Sequence, residues 1–541
     1  MSINYIKYTH ILLLASLTVI FACEQTPTKS EIYEQIAVQL SEHPQDSLLA
    51  LAYSEHNEKP LWVARGGLQQ GGQRYWDALE EVAFDGLEVK DYKSDSLSDL
   101  IQQAQEAVDP SILATLDIAI SRSFLQLAND LHVGRIHPDR LDIEWEMDLK
   151  EPTEDYMELM LEVANGKSPS KAFTQLRPEN AQYLGLRQQL KKLLEQNQNP
   201  IEAIPSFTGK IEVGQHHAAI PAIRKKLAFW GFGDSETTES DLYTEALEIQ
   251  VKAYQRKHGL NEDGIIGQGF LEVVNYSLDD LITKAKVNLE RWRWLPDYTD
   301  SDRNKVIVNI PDFQLFYMQG DDTVLVSKVV VGKEYRQTPV FKSKMTYMVF
   351  SPTWTLPETI LWEDAIPSIQ NDPDYLVKNE MKLLDFQGNE VNYEKIKWNR
   401  IEGKSDFPYM IRQSPGTKNP LGQVKFMFPN DYSIYIHDSP AKSLFSREER
   451  MFSSGCIRME KPRELASLLL EDMEDWDDEK IDSSMNLQNE QNVKLKHAQD
   501  VWILYLSVWE QSGQLAIRED IYDMDKKVAK AMGLTVSGSF L

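Results

Sequence analysis

The sequence predicts a multidomain α+β protein: a helical scaffold first, a small helical unit in the middle, and a mainly-β domain carrying a long insertion. Three observations predict it. The chain has 541 residues, too many for one ordinary domain. Up to about residue 277 its apolar residues recur at helical spacing, and from about 301 they fall into short β-rich runs between turn residues. Hydrophobic residues make up 42% and charged residues 26%, a globular composition with enough apolar material for real cores.

Charge and cysteine usage narrow the function. Lys plus Arg is 57 and Asp plus Glu is 84, a formal net charge of −27. So acidic a chain does not grip nucleic acid or anionic lipid through its overall field. The ten histidines and two cysteines form neither a Cys-x-x-Cys pair nor a His-x-x-x-His, so no metal site is expected, and no cofactor.

The first element is Ile11 to Ala22, ILLLASLTVIFA, after a short polar start with Lys7 and His10. Twelve residues are too few to span a bilayer and suit the apolar part of an export signal, here 1–22. Ile20-Phe21-Ala22 before Cys23 resembles a bacterial lipobox. Cys23 would then carry lipid and begin the mature protein, with 23–30 as a polar tether. The expectation is an exported protein at the periplasmic or envelope face, held to a membrane through that lipid. An ordinary signal peptide cut nearby is the other reading. If Cys23 is lipidated, Cys456 is the one thiol left, and it cannot form a disulfide within the chain.

Residues 31–205 read as the helical scaffold. Leu116, Ala119, Ile120, Phe124, Leu127, Ala128 and Leu131 share one face, and Gly134 to Pro138 ends the run. Further helices are expected around 31–40 and 73–84. Residues 206–277 form a compact unit, with helices at about Ile220–Phe229 and Thr244–His258 and Gly259 as a C-cap. Tyr254 and Leu247 are expected in its core.

The last domain, 278–541, is expected to be mainly β. Strands are read at 306–310, 314–318, 324–332, 425–429, 432–437 and 501–508, with a helix at about 462–470. Pro429-Asn430-Asp431 is expected to turn a hairpin. The acidic run 471–479 reads as a solvated face. The stretch 357–412, rich in Glu, Asp, Asn and Pro, is expected to be a mobile lid over Cys456. Its Trp362, Ile366 and Phe407 would pack on the site when closed.

The chemistry concentrates in 435–458, YIHDSPAKSLFSREERMFSSGCIR. Strand alternation puts His437 on one face with Tyr435 and Ser433. A thiol nucleophile needs a base, and imidazole has a suitable pKa. It also needs N–H groups to hold an oxyanion, and Gly455 lets those of Gly455 and Cys456 converge. Arg458 adds positive charge that favours thiolate and can bind a carboxylate through two hydrogen bonds.

These residues carry two resemblances. His437, sixteen residues, then Ser454-Gly455-Cys456-x-Arg458 resembles the signature of the YkuD-type L,D-transpeptidases, with Ser454 where many members have His. SPTWTLPETI (351–360), RQSPGTKNPLGQVKFMFPN (412–430), IHDSPAKSLF (436–445) and REDIYDMD (518–525) resemble the large YcbB-type branch. In the middle unit, Tyr254-Gln255, Gly259-Leu260, Asp263-Gly264-Ile265 and Gly267 resemble the small three-helix peptidoglycan-binding domain, without its usual Thr after the last Gly.

The resemblance implies a cell-wall enzyme acting on peptidoglycan stem peptides as donor and acceptor. Cys456 would attack the carbonyl between the third and fourth stem residues, releasing terminal D-Ala. A side-chain amine of another stem would open the thioester to give a 3→3 cross-link. His437 would be base and then acid, oriented by the main chain of Asp438 or by its side chain. Ser453, Ser454, Tyr435 and Trp354 would line the site. The same site with water as acceptor would be an L,D-carboxypeptidase or endopeptidase, and a non-catalytic wall-binding lipoprotein is a further class. A papain-like amidase is disfavoured because its Cys precedes its His, and a sortase by the Ser-Gly-Cys-x-Arg core.

Overall fold

A computed structural model describes residues 27–43, 46–153, 155–196, 201–233, 240–296 and 304–535. The expected export signal and Cys23 lie outside the described residues. The chain divides into two units, one of Met1–Leu79, Lys90–Gln126 and Glu154–Ala172, the other of Glu80–Val89, Leu127–Thr153 and Phe173–Leu541.

The first unit is helical. Thr28 and Glu31 form a reciprocal capping box that starts the helix Lys29–Ser41. Helices also run over Gln70–Ala78, Asp95–Gln105 and Asp155–Ala164. Inside, the buried Asp117 carboxylate accepts the N–H groups of Leu61, Trp62 and Val63 at 3.1, 2.7 and 2.9 Å. It thereby satisfies a non-helical stretch that could not otherwise be buried.

In the second unit, helices Ile220–Phe229, Glu245–Lys257 and Gln268–Val274 surround a core that includes Leu247, Val251, Tyr254 and Phe270. Gln255 explains the spacing noted above. Its amide donates to Asp263 Oδ1 (2.9 Å) and the Ile265 carbonyl (3.0 Å) and accepts from the Gly264 N–H (2.9 Å), tying the Asp-Gly-Ile turn to the helix.

The helix Leu278–Trp294 follows, buried along nearly its whole length despite its charges. Those charges are neutralised locally. Asp525 receives Lys284 Nζ at 3.1 Å, Ser507 Oγ at 2.6 Å and the Arg291 guanidinium, while Arg293 pairs with Glu290.

Eight strands then close on themselves. They are β1 (Lys305–Asn309), β2 (Gln314–Gln319), β3 (Asp322–Gly332), β4 (Val340–Phe350), β5 (Val424–Met427), β6 (Ile436–His437), β7 (Ile457–Met459) and β8 (Gln491–Leu504). The order is β5-β6-β7-β3-β2-β1-β8-β4, and β4 pairs again with β5. Closure removes free edges, and the interior is filled by residues such as Val306, Leu315, Val331, Met348, Phe426 and Ile457. The pairs β6–β7 and β1–β8 are parallel. The helix Pro462–Leu470 matches its expected span. The run 471–479 is largely exposed, although Trp476 stacks on Phe350 at 5.3 Å.

The insertion expected as a mobile lid has secondary structure and a core of its own. It holds short helices at Ile366–Asn371 and Tyr375–Lys378 and a three-stranded sheet of Trp354–Thr355, Met410–Gln413 and Met381–Leu384. Ile366 and Phe407 are buried in the insertion's own core with Ile369, Leu376, Leu383 and Trp398, and Trp362 packs edge-on against Phe407 at 6.1 Å. These side chains are therefore not free to pack on the site. A segment with this much apolar material buries it internally first.

Asp525→Asn tests the buried network, because it leaves Lys284 and Arg291 facing a neutral amide. A loss of about 3–5 kcal/mol in urea unfolding at neutral pH is expected. A loss below about 1 kcal/mol would show that the two cations do not depend on Asp525.

Candidate active site

The turn before β6 is built by Asn430. Its side chain accepts the Tyr432 and Ile434 N–H groups, both at 3.1 Å, and donates to the Phe428 (2.6 Å) and Ile434 (2.8 Å) carbonyls. Ser433 sits in the left-handed region at φ 57°. The expected strand 432–437 therefore shrinks to Ile436–His437, and alternation does not carry Ser433 onto the face of His437. Ser433 instead offers its carbonyl, 3.7 Å from Cys456 Sγ.

Register then assembles the site. On the parallel pair β6–β7, Ile436 faces Ile457 and His437 faces Arg458. On the antiparallel pair β5–β6, Lys425 faces His437. Phe426, Ile436, Ile457 and Met459 point into the core and are fully buried. Because side chains alternate, Lys425, His437 and Arg458 share the opposite face, with the Tyr435 ring 5.6 Å from that of His437 and Cys456 immediately before β7.

His437 Nδ1 lies 2.5 Å from the Asp438 carbonyl. A carbonyl only accepts, so Nδ1 carries the proton and Nε2 keeps its lone pair. The main chain of Asp438 thus orients the imidazole. Its carboxylate anchors the turn instead, accepting the Gln423 N–H at 2.9 Å and Lys442 Nζ at 2.6 Å. Gly422, at φ 61°, leaves room for it, since a Cβ there would collide with Asp438 Oδ2.

Burial, and then the Arg458 charge, push His437 down to about 3. Burial also pushes the Cys456 thiol up to about 11, against hydrogen bonds from Tyr435 and the charges of Arg458 and Lys425. The expectation that Arg458 would favour thiolate holds in sign, but desolvation outweighs it. Both shifts favour the neutral pair, thiol and imidazole, over the ion pair.

The expected oxyanion donors separate. The Gly455 N–H is engaged by the buried Ser453 hydroxyl at 3.1 Å, which leaves the Cys456 N–H, without a partner among the described residues, as the open donor of the two. Gly455 stands at φ 107°, and its carbonyl accepts from Thr338 Oγ1 at 2.7 Å. Ser454 is exposed, and its hydroxyl accepts from Arg336 Nη1 at 2.9 Å. Arg336 also pairs with Asp364 (2.9 Å) and Glu363 (2.5 Å) of the insertion. Trp354 packs against the insertion's core, and it and Cys456 both bear on the Tyr435 hydroxyl, whose pKa burial raises. Arg458 is half-buried, and its Nε has no partner among the described residues.

Sequence reasoning missed Lys425, Arg336, Thr338 and Gly422. Lys425 alternates with Val424 and Phe426, a readable signal, but its neighbour across the strand is not. Among the described residues, no three His, Cys, Asp or Glu side chains gather to hold a metal ion.

The neutral pair has a measurable consequence. Because only thiolate alkylates, iodoacetamide labelling of Cys456 should be slow at pH 7 and rise about tenfold per pH unit toward pH 9. A plateau reached below pH 7 would reveal a thiolate–imidazolium pair instead.

Three family descriptions match the chain: "L,D-transpeptidase catalytic domain" over residues 303–477, "Putative peptidoglycan binding domain" over 216–274 and "Scaffold domain" over 47–190. A curated relative in Haemophilus influenzae, named "Putative L,D-transpeptidase", is 34% identical over 249 residues, 46% of this chain and 49% of the relative. The chain thus spans about half the length of the curated relative it matches. Two crystal structures of L,D-transpeptidases are distant likenesses. The one from Xylanimonas cellulosilytica is 12% identical over 55% of this chain and 99% of its own, with a TM-score of 0.16. The one from Stackebrandtia nassauensis is 10% identical over 56% and 96%, with a TM-score of 0.21.

Proposed function

Since residues 303–477 match the L,D-transpeptidase catalytic domain and 216–274 a putative peptidoglycan binding domain, we propose that the chain is an exported enzyme forming 3→3 cross-links in peptidoglycan. The observation that supports this most is the register that pairs His437 with Arg458, two residues after Cys456, on adjacent parallel strands. The domain boundaries proposed are 31–205, 206–277 and 278–541, with 357–412 inserted in the last.

His437 Nε2 takes the thiol proton as Sγ bonds to the carbonyl carbon after the third stem residue. The Cys456 N–H faces the developing oxyanion. Collapse breaks the C–N bond, His437 returns its proton to the leaving amine, and D-Ala departs, leaving a thioester. An amine from a second stem repeats the cycle in reverse and restores the thiol. The thioester retains the acyl energy, so no nucleotide is consumed. Attack from a neutral pair needs no stored ion pair, only a proton transfer timed with bond formation.

The insertion acts as a cover. Arg336 joins the Ser454 hydroxyl to Glu363 and Asp364, so insertion and nucleophile loop move together. A cover that excludes water favours an amine acceptor.

Incubation with purified disaccharide tetrapeptide, read by mass spectrometry, tests this reading. Cross-linked dimer and a thioester on Cys456 are expected, and Cys456→Ser should lose both by at least about a thousandfold. Unimpaired turnover by Cys456→Ser would overturn the assignment, and hydrolysed product alone would make the enzyme a carboxypeptidase. In the same assay Arg336→Met should shift product from dimer toward hydrolysis. Anchoring rests on Cys23. Cys23→Ala should move the protein from the membrane to the soluble fraction, since acyl chains supply the membrane affinity. Continued membrane binding would refute the lipid anchor.

A further inference from the structure

Lys425 is a cation that the proposed chemistry leaves without a task. It stands on β5 directly across from His437. It is half-buried, with Nζ 5.9 Å from the centre of the Tyr435 ring. Among the described residues it makes no ion pair and no hydrogen bond. The carboxylate that bears on it, Glu490, is occupied by the Thr353 N–H (3.1 Å) and hydroxyl (2.7 Å). Burial weakens its hold on the proton. A partly desolvated ammonium whose neighbouring carboxylate is engaged elsewhere is costly, and an arriving anion would reduce that cost.

Its place in the row indicates which anion. Cys456 precedes β7, His437 lies on β6 and Lys425 on β5, and adjacent strands are roughly 4.8 Å apart. In acyl transfer the carbonyl carbon sits at Sγ. The leaving nitrogen must lie at the imidazole that protonates it. The departing residue therefore runs from β7 across β6 toward β5. Its α-carboxylate is two bonds beyond the leaving nitrogen, on the side where Lys425 waits. Arg458 lies across from His437 on the other flank, nearer the part of the donor that stays on sulfur.

We propose that Lys425 binds the α-carboxylate of the departing residue and so selects donors that end one residue past the scissile bond. This rests on the transpeptidase reading. A donor extended by another residue would carry its carboxylate about 3.5 Å further on, beyond this contact, and put an uncharged amide against the ammonium. Lys425 would thus be a specificity-determining residue that measures how far the stem has been trimmed.

The test compares two synthetic donors with the full chain: the tetrapeptide with a free C-terminal carboxylate and the same peptide amidated there. A charge-assisted contact of this kind corresponds to about tenfold to a hundredfold in kcat/KM. The unaltered protein should prefer the free carboxylate by that factor. Lys425→Met, which keeps the aliphatic stem over Tyr435, should bring the ratio near one through a higher KM for the carboxylate donor. Lys425→Arg should restore most of the preference. A role in packing alone would lower both donors together and leave the ratio intact. That result, or a full preference in Lys425→Met, overturns the proposal while leaving the transpeptidase reading standing. If the unaltered protein turns over neither donor, the transpeptidase reading falls, and this proposal with it.

Discussion

The parallel pairing of two very short strands, Ile436–His437 and Ile457–Met459, is the constraint on which the site depends. Chain segments far apart in sequence meet there in one register. A slip of one residue would turn His437 and Cys456 into the core and bring Ile436 and Ile457 out. The apolar alternates prevent that slip, because Phe426, Ile436, Ile457 and Met459 are all fully buried. The core face thus sets which residues share the opposite face, the one proposed to be catalytic. Closure of the barrel through β4 and β5 holds the strands that carry the site.

Burial then decides the protonation states. The same desolvation that lifts the thiol lowers the imidazole, so the site rests uncharged beside two cations, Lys425 and Arg458. Charge develops only when a substrate supplies the electrophile. The turn that carries Cys456 is held from behind by Thr338, whose hydroxyl donates to the Gly455 carbonyl and accepts from the Gly332 N–H at 3.0 Å. From the front it is held through Ser454 and Arg336. A turn pinned on both sides presents Sγ in a defined place, as the proposed reaction requires.

Much of this was legible in residue order. The His437 and Cys456 pair, the helix Pro462–Leu470, the two longer helices of the middle unit and most barrel strands follow from spacing and composition. The helix Leu278–Trp294 did not, because its pattern of Asp, Lys, Glu and Arg resembles a solvated helix. It is buried only because Asp525, Glu290 and their partners neutralise one another inside the fold. The insertion was legible as an interruption, but its internal core was not. Its apolar residues have no simple period, and they meet only when Met381–Leu384 and Met410–Gln413 pair.

By itself the sequence determined the chemical types present: one thiol beyond the Cys23 region, a histidine at the end of a β-rich run, a glycine able to take a positive φ, and the repeating patterns that make helices and strands. Those are local properties, carried by side-chain chemistry and by periods of two and 3.6. Only the tertiary structure decided which groups face one another. Lys425 stands beside His437, Arg336 bridges Ser454 and the insertion, and the Gly455 N–H is lost to Ser453. The physical reason is that strand register and desolvation are non-local. Each depends on partners that approach only when the barrel closes, and they turn a list of reactive residues into a site with a defined charge and direction.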